Sequence, residues 1–313
     1  MQHYITSQKK YYTLDFYLKE TYNSKVFKVA LNADFTCPNR DGTISHLGCF
    51  YCSEAGSGDF AGNKEDTLQT QFETVKDMIH HKWPNAKYIA YFQANTNTYA
   101  PIDTLRSLFY NAISLDSNIV ALSIATRPDC LNAAVLDLLA ELSLKTDVWV
   151  ELGLQTIHPT TQKSLNLGYT TEDFANATNA LAQRNIKVIA HIINGLPGET
   201  FEMMQETINF LNKLPISGLK IHSLYIQRNT ILAKIYEKNP FKLLTLEEYT
   251  NIVVTQLKHL RPDIVLHRIN GDAPGAELIA PEWTRKKLVI MNEIDKVLNQ
   301  HSYYQGMEYE KQA

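Results

Sequence analysis

From about residue 25 to residue 228 one pattern recurs: a short apolar, β-branched run, a polar or glycine-containing junction, then a helical stretch. The predicted strands are Lys25–Phe35, Lys87–Gln93, Ile119–Ala125, Asp147–Leu154, Lys187–Asn194 and Gly218–Tyr225. Helices are expected over Lys64–Lys82, Ile102–Leu115, Leu131–Leu144, Thr171–Gln183 and Glu199–Leu214. Several strands are near-continuous apolar runs, as strands covered on both faces of a parallel sheet are. Thr170 and Thr171 ahead of Glu172 and Asp173 offer an N-cap with acidic first-turn residues. Six strands alternating with helices imply right-handed βαβ crossovers and a parallel sheet. Periodicity does not separate an open doubly wound sheet from a partial or full barrel. In either, catalytic groups belong at the C-terminal ends of the strands.

Beyond Gln227 the pattern changes. Leu244–Leu260 and Glu282–Gln300 read as amphipathic helices, with one extended piece, Ile264–Ile269, between them. The tail SYYQGMEYEKQA is polar and expected to be loosely packed. Residues 1–230 therefore read as the α/β unit with an N-terminal lead-in, and residues 231–313 as a helical extension. At 313 residues and 44% hydrophobic, the chain has ample material for one large core. No run of about 18 apolar residues occurs, so no membrane span is expected. The first twenty residues lack an apolar stretch after their positive charges, so a secretory signal is not expected and the cytoplasm is the default. In that compartment four cysteines do not read as disulfides, and a close pair reads as metal-binding or redox-active. A net charge of -3 excludes a strongly basic nucleic-acid protein by composition, though not a local basic face.

The strongest chemical signal is the string CPNRDGTISHLGCFYC, which places Cys37, Cys49 and Cys52 on one loop after the first strand. Gly42 and Gly48 give that loop backbone freedom, so several thiolates can converge and successive N–H groups can point at sulfur. A structural zinc site takes four ligands, whereas a reactive site keeps a position open. Iron–sulfur clusters take four thiolates, so a three-cysteine cluster leaves one iron free for another ligand. Three other readings stand beside this one: a zinc site completed by His46, a thioredoxin-like CxxC pair, and three unrelated buried thiols.

With CPNRDGTISHLGCFYC, the segments ATRPD (125–129), ELGLQT (151–156), HIINGLPGET (191–200) and HRINGDAP (267–274) occur in one order along roughly residues 10 to 305. In these the chain resembles the radical SAM superfamily, more narrowly its YtqA/YhcC-type proteins. TRPD, ELGLQ and HIINGLPG also resemble the Elongator catalytic subunit and, more distantly, the oxygen-independent coproporphyrinogen oxidases. The first cysteine gap is eleven residues, longer than the common CxxxCxxC spacing; YtqA/YhcC-type and Elongator-like proteins share such long gaps. The resemblance implies an α/β fold, a partial (β/α)6 TIM-type barrel with a helical C-terminal extension. It implies a [4Fe–4S] cluster on Cys37, Cys49 and Cys52, with S-adenosylmethionine (SAM) chelating the open iron. One electron would cleave SAM to methionine and a 5′-deoxyadenosyl radical that abstracts a substrate hydrogen. A flavodoxin- or ferredoxin-type donor would supply the electron.

The same resemblance assigns SAM contacts to Tyr51, beside the adenine; to Gln93 and Asn95, closing the second strand; and to Thr126, Arg127 and Asp129, ending the third. It extends them to Glu151 and Gln155 on the fourth strand, His191 on the fifth, and Leu196 in the Gly195–Gly198 turn. For Tyr51 the alternative is a packing aromatic, for Arg127 and Asp129 an internal ion pair, and for His191 a satisfied core histidine. Glu151 lies mid-strand among apolar residues, where a bare carboxylate is costly; a SAM hydroxyl or amine, or Arg127, would pair with it. Cys130 reads as a small apolar residue. His222, Tyr225, Arg268 and Asp272 are candidate substrate contacts, the last two alternatively an ion pair closing the barrel end.

The Elongator-like segments imply wobble-uridine chemistry in tRNA, for example conversion of carboxymethylaminomethyluridine to aminomethyluridine. Lys9–Lys10 with Tyr11–Tyr12, and Arg285–Lys287 beside Trp283, mix cations and aromatics as RNA surfaces do, or as ordinary solvated faces do. Radical chemistry on a small metabolite such as a tetrapyrrole precursor, and a non-catalytic zinc- or cluster-binding module, are the other readings.

Overall fold

A computed structural model describes residues 2–56, 58–271 and 275–310. The helix α1 (Leu14–Tyr22) leads into β1 (Val26–Leu31). There follow α2 (Leu68–His80), β2 (Lys87–Phe92), α3 (Ile102–Ser114), β3 (Ile119–Thr126), α4 (Ala133–Ser143) and β4 (Asp147–Gln155). Next come α5 (Pro159–Ser164), α6 (Thr171–Ala182), β5 (Lys187–Asn194), α7 (Phe201–Leu211), β6 (Gly218–Ser223) and β7 (Ile226–Gln227). The chain ends with α8 (Ile231–Lys238), α9 (Leu246–His259), β8 (Val265–Arg268), β9 (Leu278–Ala280) and α10 (Lys287–Gln300). All six predicted strands form and pair in parallel, in the order β1-β2-β3-β4-β5-β6-β8. The predicted extended piece at 264–269 is therefore a seventh strand, β8, on the β6 edge of a curled partial barrel. The helices α1, α5 and α8 lie outside the predicted set, being too short to show a helical period.

Strand alternation divides the sheet into two faces. The outer face, including Phe92, Leu122, Ile124, Val150, Leu152, Val188, Ala190 and Ile221, packs under the helices in the main core. The inner face is layered. Val26, Ile89, Ala121, Trp149 and Ile189, near the N-terminal ends of the strands, pack with Leu18 of α1 and close the bottom. Above them lies a polar layer containing Lys28, Tyr91, Ser123, Glu151, His191 and Lys220. The near-continuous apolar runs are thus interrupted on one face by charged and polar residues. Helix starts are fixed by local chemistry: Thr170 and Asp173 form a reciprocal capping box on α6, as do Thr245 and Glu248 on α9.

The described part of the tail, residues 302–310, is anchored to the fold rather than loosely packed. Gln305 is fully buried; its amide donates to the carbonyls of Arg261 and Ile264 at 3.0 and 2.8 Å and accepts from Tyr12 N–H at 2.9 Å. One polar residue here satisfies three backbone groups, which hydropathy alone does not reveal. The N-terminal patch is likewise no free surface. Tyr11 is buried, Lys9 pairs with Asp295, and Tyr12 stacks on Tyr4 at 4.5 Å.

Candidate functional site: a thiol-rimmed cavity at the strand C-termini

Cys37, Cys49 and Cys52 border one cavity of about 240 Å³ above the polar layer of the barrel. The loop that carries them is held by its own backbone and by a segment after β4. Arg40 and Asp41 N–H groups donate to the Cys37 carbonyl, and Cys52 N–H donates to the Cys49 carbonyl at 3.0 Å. Asn39, fully buried, donates to the Asn166 carbonyl at 2.6 Å and toward Cys49 Sγ at 3.5 Å; Asn166 donates back to the Gly48 carbonyl at 2.8 Å. Gly42 and Gly48 have φ of +97° and +69°, values that glycine adopts without strain. A hydrogen bond with Cys52, then burial, raises the Cys49 thiol pKa, while Arg127 and Asn39 work against that rise.

These residues fit a [4Fe–4S] cluster with one open iron. Three soft sulfur donors face the cavity, and an amide N–H aims at one of them, as sulfur ligands to iron accept hydrogen bonds. A single zinc ion does not fit as well. His46 is exposed and does not line the cavity, and among the described residues no three His, Cys, Asp or Glu side chains close on one ion. Cys130 lies off the cavity lining, its thiol pKa pushed up to about 12 by burial and by Asp129.

The strand ends bring most of the expected residues to the same cavity. Tyr51, Gln93, Asn95, Thr126, Arg127, Glu151, Gln155 and His191 all line it, as do His222, Tyr225 and Arg268. Asn95 and Gln155 hold left-handed φ of +60° and +65°, sparsely populated conformations that cluster at functional sites. Two expected residues do not reach it. Asp129 grips Arg127 in a bidentate pair at 2.9 and 2.8 Å, and Leu196 packs in a small core with Leu165, Leu167 and Leu224. Asp272 lies outside the described residues.

Glu151 does not pair with Arg127. Arg127 is held by Asp129, by the Leu167 carbonyl at 2.8 Å and over the Tyr169 ring at 4.9 Å; its pKa is raised, with burial opposing and Asp129 dominating. Glu151 instead sits at the centre of the polar layer. It pairs with Lys28 on one oxygen and Lys220 on the other. It also accepts from Ser123 and Tyr91 hydroxyls at 2.9 Å each and meets His191 Nε2 at 2.9 Å. Burial opposes its charge, but Lys220, Lys28 and His191 outweigh it and hold the carboxyl well below the usual range. Lys28 and Lys220 are the residues that sequence reasoning passed over. Their signal was present: each is a lysine at the centre of an apolar strand, the same anomaly that marked Glu151.

The chain matches the Radical SAM superfamily over residues 41–211 and the Radical_SAM C-terminal domain over residues 216–300. It is 46% identical to the protein YtqA of Bacillus subtilis (strain 168), over 98% of this chain and 95% of that one. It is 37% identical to YhcC of Escherichia coli (strain K12), over 91% of each chain. A tRNA uridine(34) acetyltransferase of Methanocaldococcus infernus is 29% identical over 164 residues, 51% of this chain and 30% of that one. Among solved structures, the archaeal Methanocaldococcus infernus Elp3 with an N-terminal deletion shares the fold, with a TM-score of 0.67 at 18% identity over 90% of this chain and 64% of that one. The superfamily's cofactors are a [4Fe–4S] cluster and SAM, which the three thiols and the cavity beside them fit. A partial parallel barrel with a three-cysteine loop at its mouth, matched across most of its length by such relatives, makes this chain a member of the radical SAM superfamily.

Proposed function

We propose that this chain modifies the C5 side chain of the tRNA wobble uridine, converting carboxymethylaminomethyluridine to aminomethyluridine. The observation that carries the reading is the similarity, over half of this chain, to a tRNA uridine(34) acetyltransferase. When bound, the cluster and SAM supply a 5′-deoxyadenosyl radical able to abstract hydrogen from an unactivated carbon. Cys37, Cys49 and Cys52 hold the cluster in this reading, while Tyr51, Gln93, Asn95, Thr126, Glu151, Gln155 and His191 position SAM. Arg127, fixed by Asp129, sets the wall behind Cys49. His222, Tyr225 and Arg268 face the substrate. The residues' part is orientation and exclusion of water, since a dry site keeps the radical from being quenched.

Residues 1–230 carry six of the barrel's seven strands in this reading, and the later segment adds the seventh, β8, at the β6 edge. Exposed Arg285, Lys286 and Lys287 follow β9, which pairs with β7, whose Gln227 lines the cavity; a basic face there suits an RNA backbone. Trp283 is turned inward onto the Leu244 carbonyl and is not part of that face. Ile44 and Leu47, 44% and 61% exposed on the cysteine loop, give a flavodoxin- or ferredoxin-type donor an apolar approach. The test is anaerobic reconstitution with iron, sulfide, SAM and a low-potential reductant. Formation of 5′-deoxyadenosine that depends on tRNA carrying carboxymethylaminomethyluridine supports the reading; turnover indifferent to tRNA contradicts it.

A further inference from the structure

The cavity is lined by four cationic side chains, Arg40, Arg127, Lys220 and Arg268, against two carboxylates among the described residues, Asp59 and Glu151. The upper members are matched locally. Arg127 has Asp129, Arg40 donates to the Ser53 and Glu54 carbonyls, and Asp59 accepts from Ser53 and Gln227. The floor is different. Lys28 and Lys220 share the single carboxylate of Glu151, and both ammonium groups lie over the Tyr91 ring, 4.7 and 4.9 Å from its centroid. His191 and His222 add no charge at neutral pH, because burial and the surrounding cations depress both. Lys220, buried, and Lys28, 18% exposed, share one carboxylate and carry a positive surplus when both are protonated, which an anion joining them offsets. Burial first, with Lys28 and Arg268 and against Glu151, brings the Lys220 pKa down to about 7.

Lys220 lines the cavity whereas Lys28 does not, so Lys220 is the member an occupant meets. It is 6% exposed, so only a small, terminal group can reach it. A backbone phosphodiester, flanked by sugars on both sides, cannot. We infer that Lys220, on the floor shared with Lys28 and faced by Arg268, receives a terminal carboxylate on the substrate side chain and so sets specificity for acidic over neutral side chains. The identity of that side chain rests on the wobble-uridine reading; the charge imbalance does not.

The experiment compares tRNA carrying carboxymethylaminomethyluridine with the same tRNA bearing its methyl ester, using reconstituted wild type, Lys220→Met and Lys220→Arg. Wild type should prefer the free acid by about 100-fold in kcat/KM, the size expected for a buried charge pair. Lys220→Met should treat acid and ester alike, with KM for the acid raised and the SAM Kd unchanged, and Lys220→Arg should recover part of the preference. Equal use of acid and ester by wild type overturns the inference, even where Lys220→Met does not fold. So does a Lys220→Met protein that keeps the preference but binds SAM weakly, since the floor would then serve SAM's own carboxylate. Where wild type turns over neither tRNA, the wobble-uridine reading has failed and acetate decides the floor. A saturable rise in wild-type Tm with sodium acetate over sodium chloride at equal ionic strength, absent in Lys220→Met, upholds an anion site. No such rise overturns it.

Discussion

Cys37, Cys49 and Cys52 are three soft donors at one end of a cavity, and their contribution is separable from that of the fourth cysteine. Changing any of the three to Ala should abolish iron incorporation and SAM cleavage, while Cys130→Ala and His46→Ala should retain both; iron and sulfide analysis of the reconstituted proteins checks this. Glu151 makes a different prediction. Among the described residues it is the carboxylate that pairs with both Lys28 and Lys220, so Glu151→Gln leaves the buried Lys220 and the partly exposed Lys28 without it and should destabilise the fold by roughly 3–5 kcal/mol. Denaturant unfolding of the apo-protein measures it. The same cluster sets a pH dependence. His191 is depressed from 6.5 to about 4 by burial and Lys220, and Glu151 is held below its usual value, so the unfolded chain binds more protons than the folded one on the acid side. Stability should therefore fall as pH drops from about 6.5 through 4, and His191→Gln should flatten the upper part of that fall. Glu151 was legible in the sequence as an anomaly, and its pairing was not. Strand register alone places Lys28, three strands away, within reach, and no local pattern encodes register between distant strands.

At the level of elements, the six βα units could be read from periodicity because each strand and helix buries an apolar face several residues long. The short helices α1, α5 and α8 could not; β8, four residues long, was legible as an extended piece, but its place on the edge left open by β6 was not. The tail beyond α10 makes the case most sharply. It is polar by composition, yet Gln305 anchors it by satisfying backbone groups of Arg261, Ile264 and Tyr12. Gln305→Ala leaves those backbone groups unpaired and should cost about 3 kcal/mol, seen as a lowered Tm. A loosely packed tail would tolerate the change without effect.

Across the whole molecule, the C-terminal ends of seven parallel strands meet a cysteine loop that follows the first of them. The Asn39–Asn166 exchange ties that loop to the segment after β4, and Arg127, held by Asp129, ties the end of β3 to the same segment through the Leu167 carbonyl. The barrel thus fixes where the thiols stand relative to the strand-end residues, and it buries a cation-rich floor beneath them. Placement of the chemistry at the strand C-termini follows from topology and was readable from sequence. The substrate is set by side chains that converge only on folding. Its most direct test is the nucleoside composition of tRNA from a strain lacking this chain. The account predicts that carboxymethylaminomethyluridine accumulates at the wobble position, that aminomethyluridine and nucleosides derived from it are lost, and that Cys49→Ala does not restore them. Wobble uridines unchanged from the parent strain would contradict it.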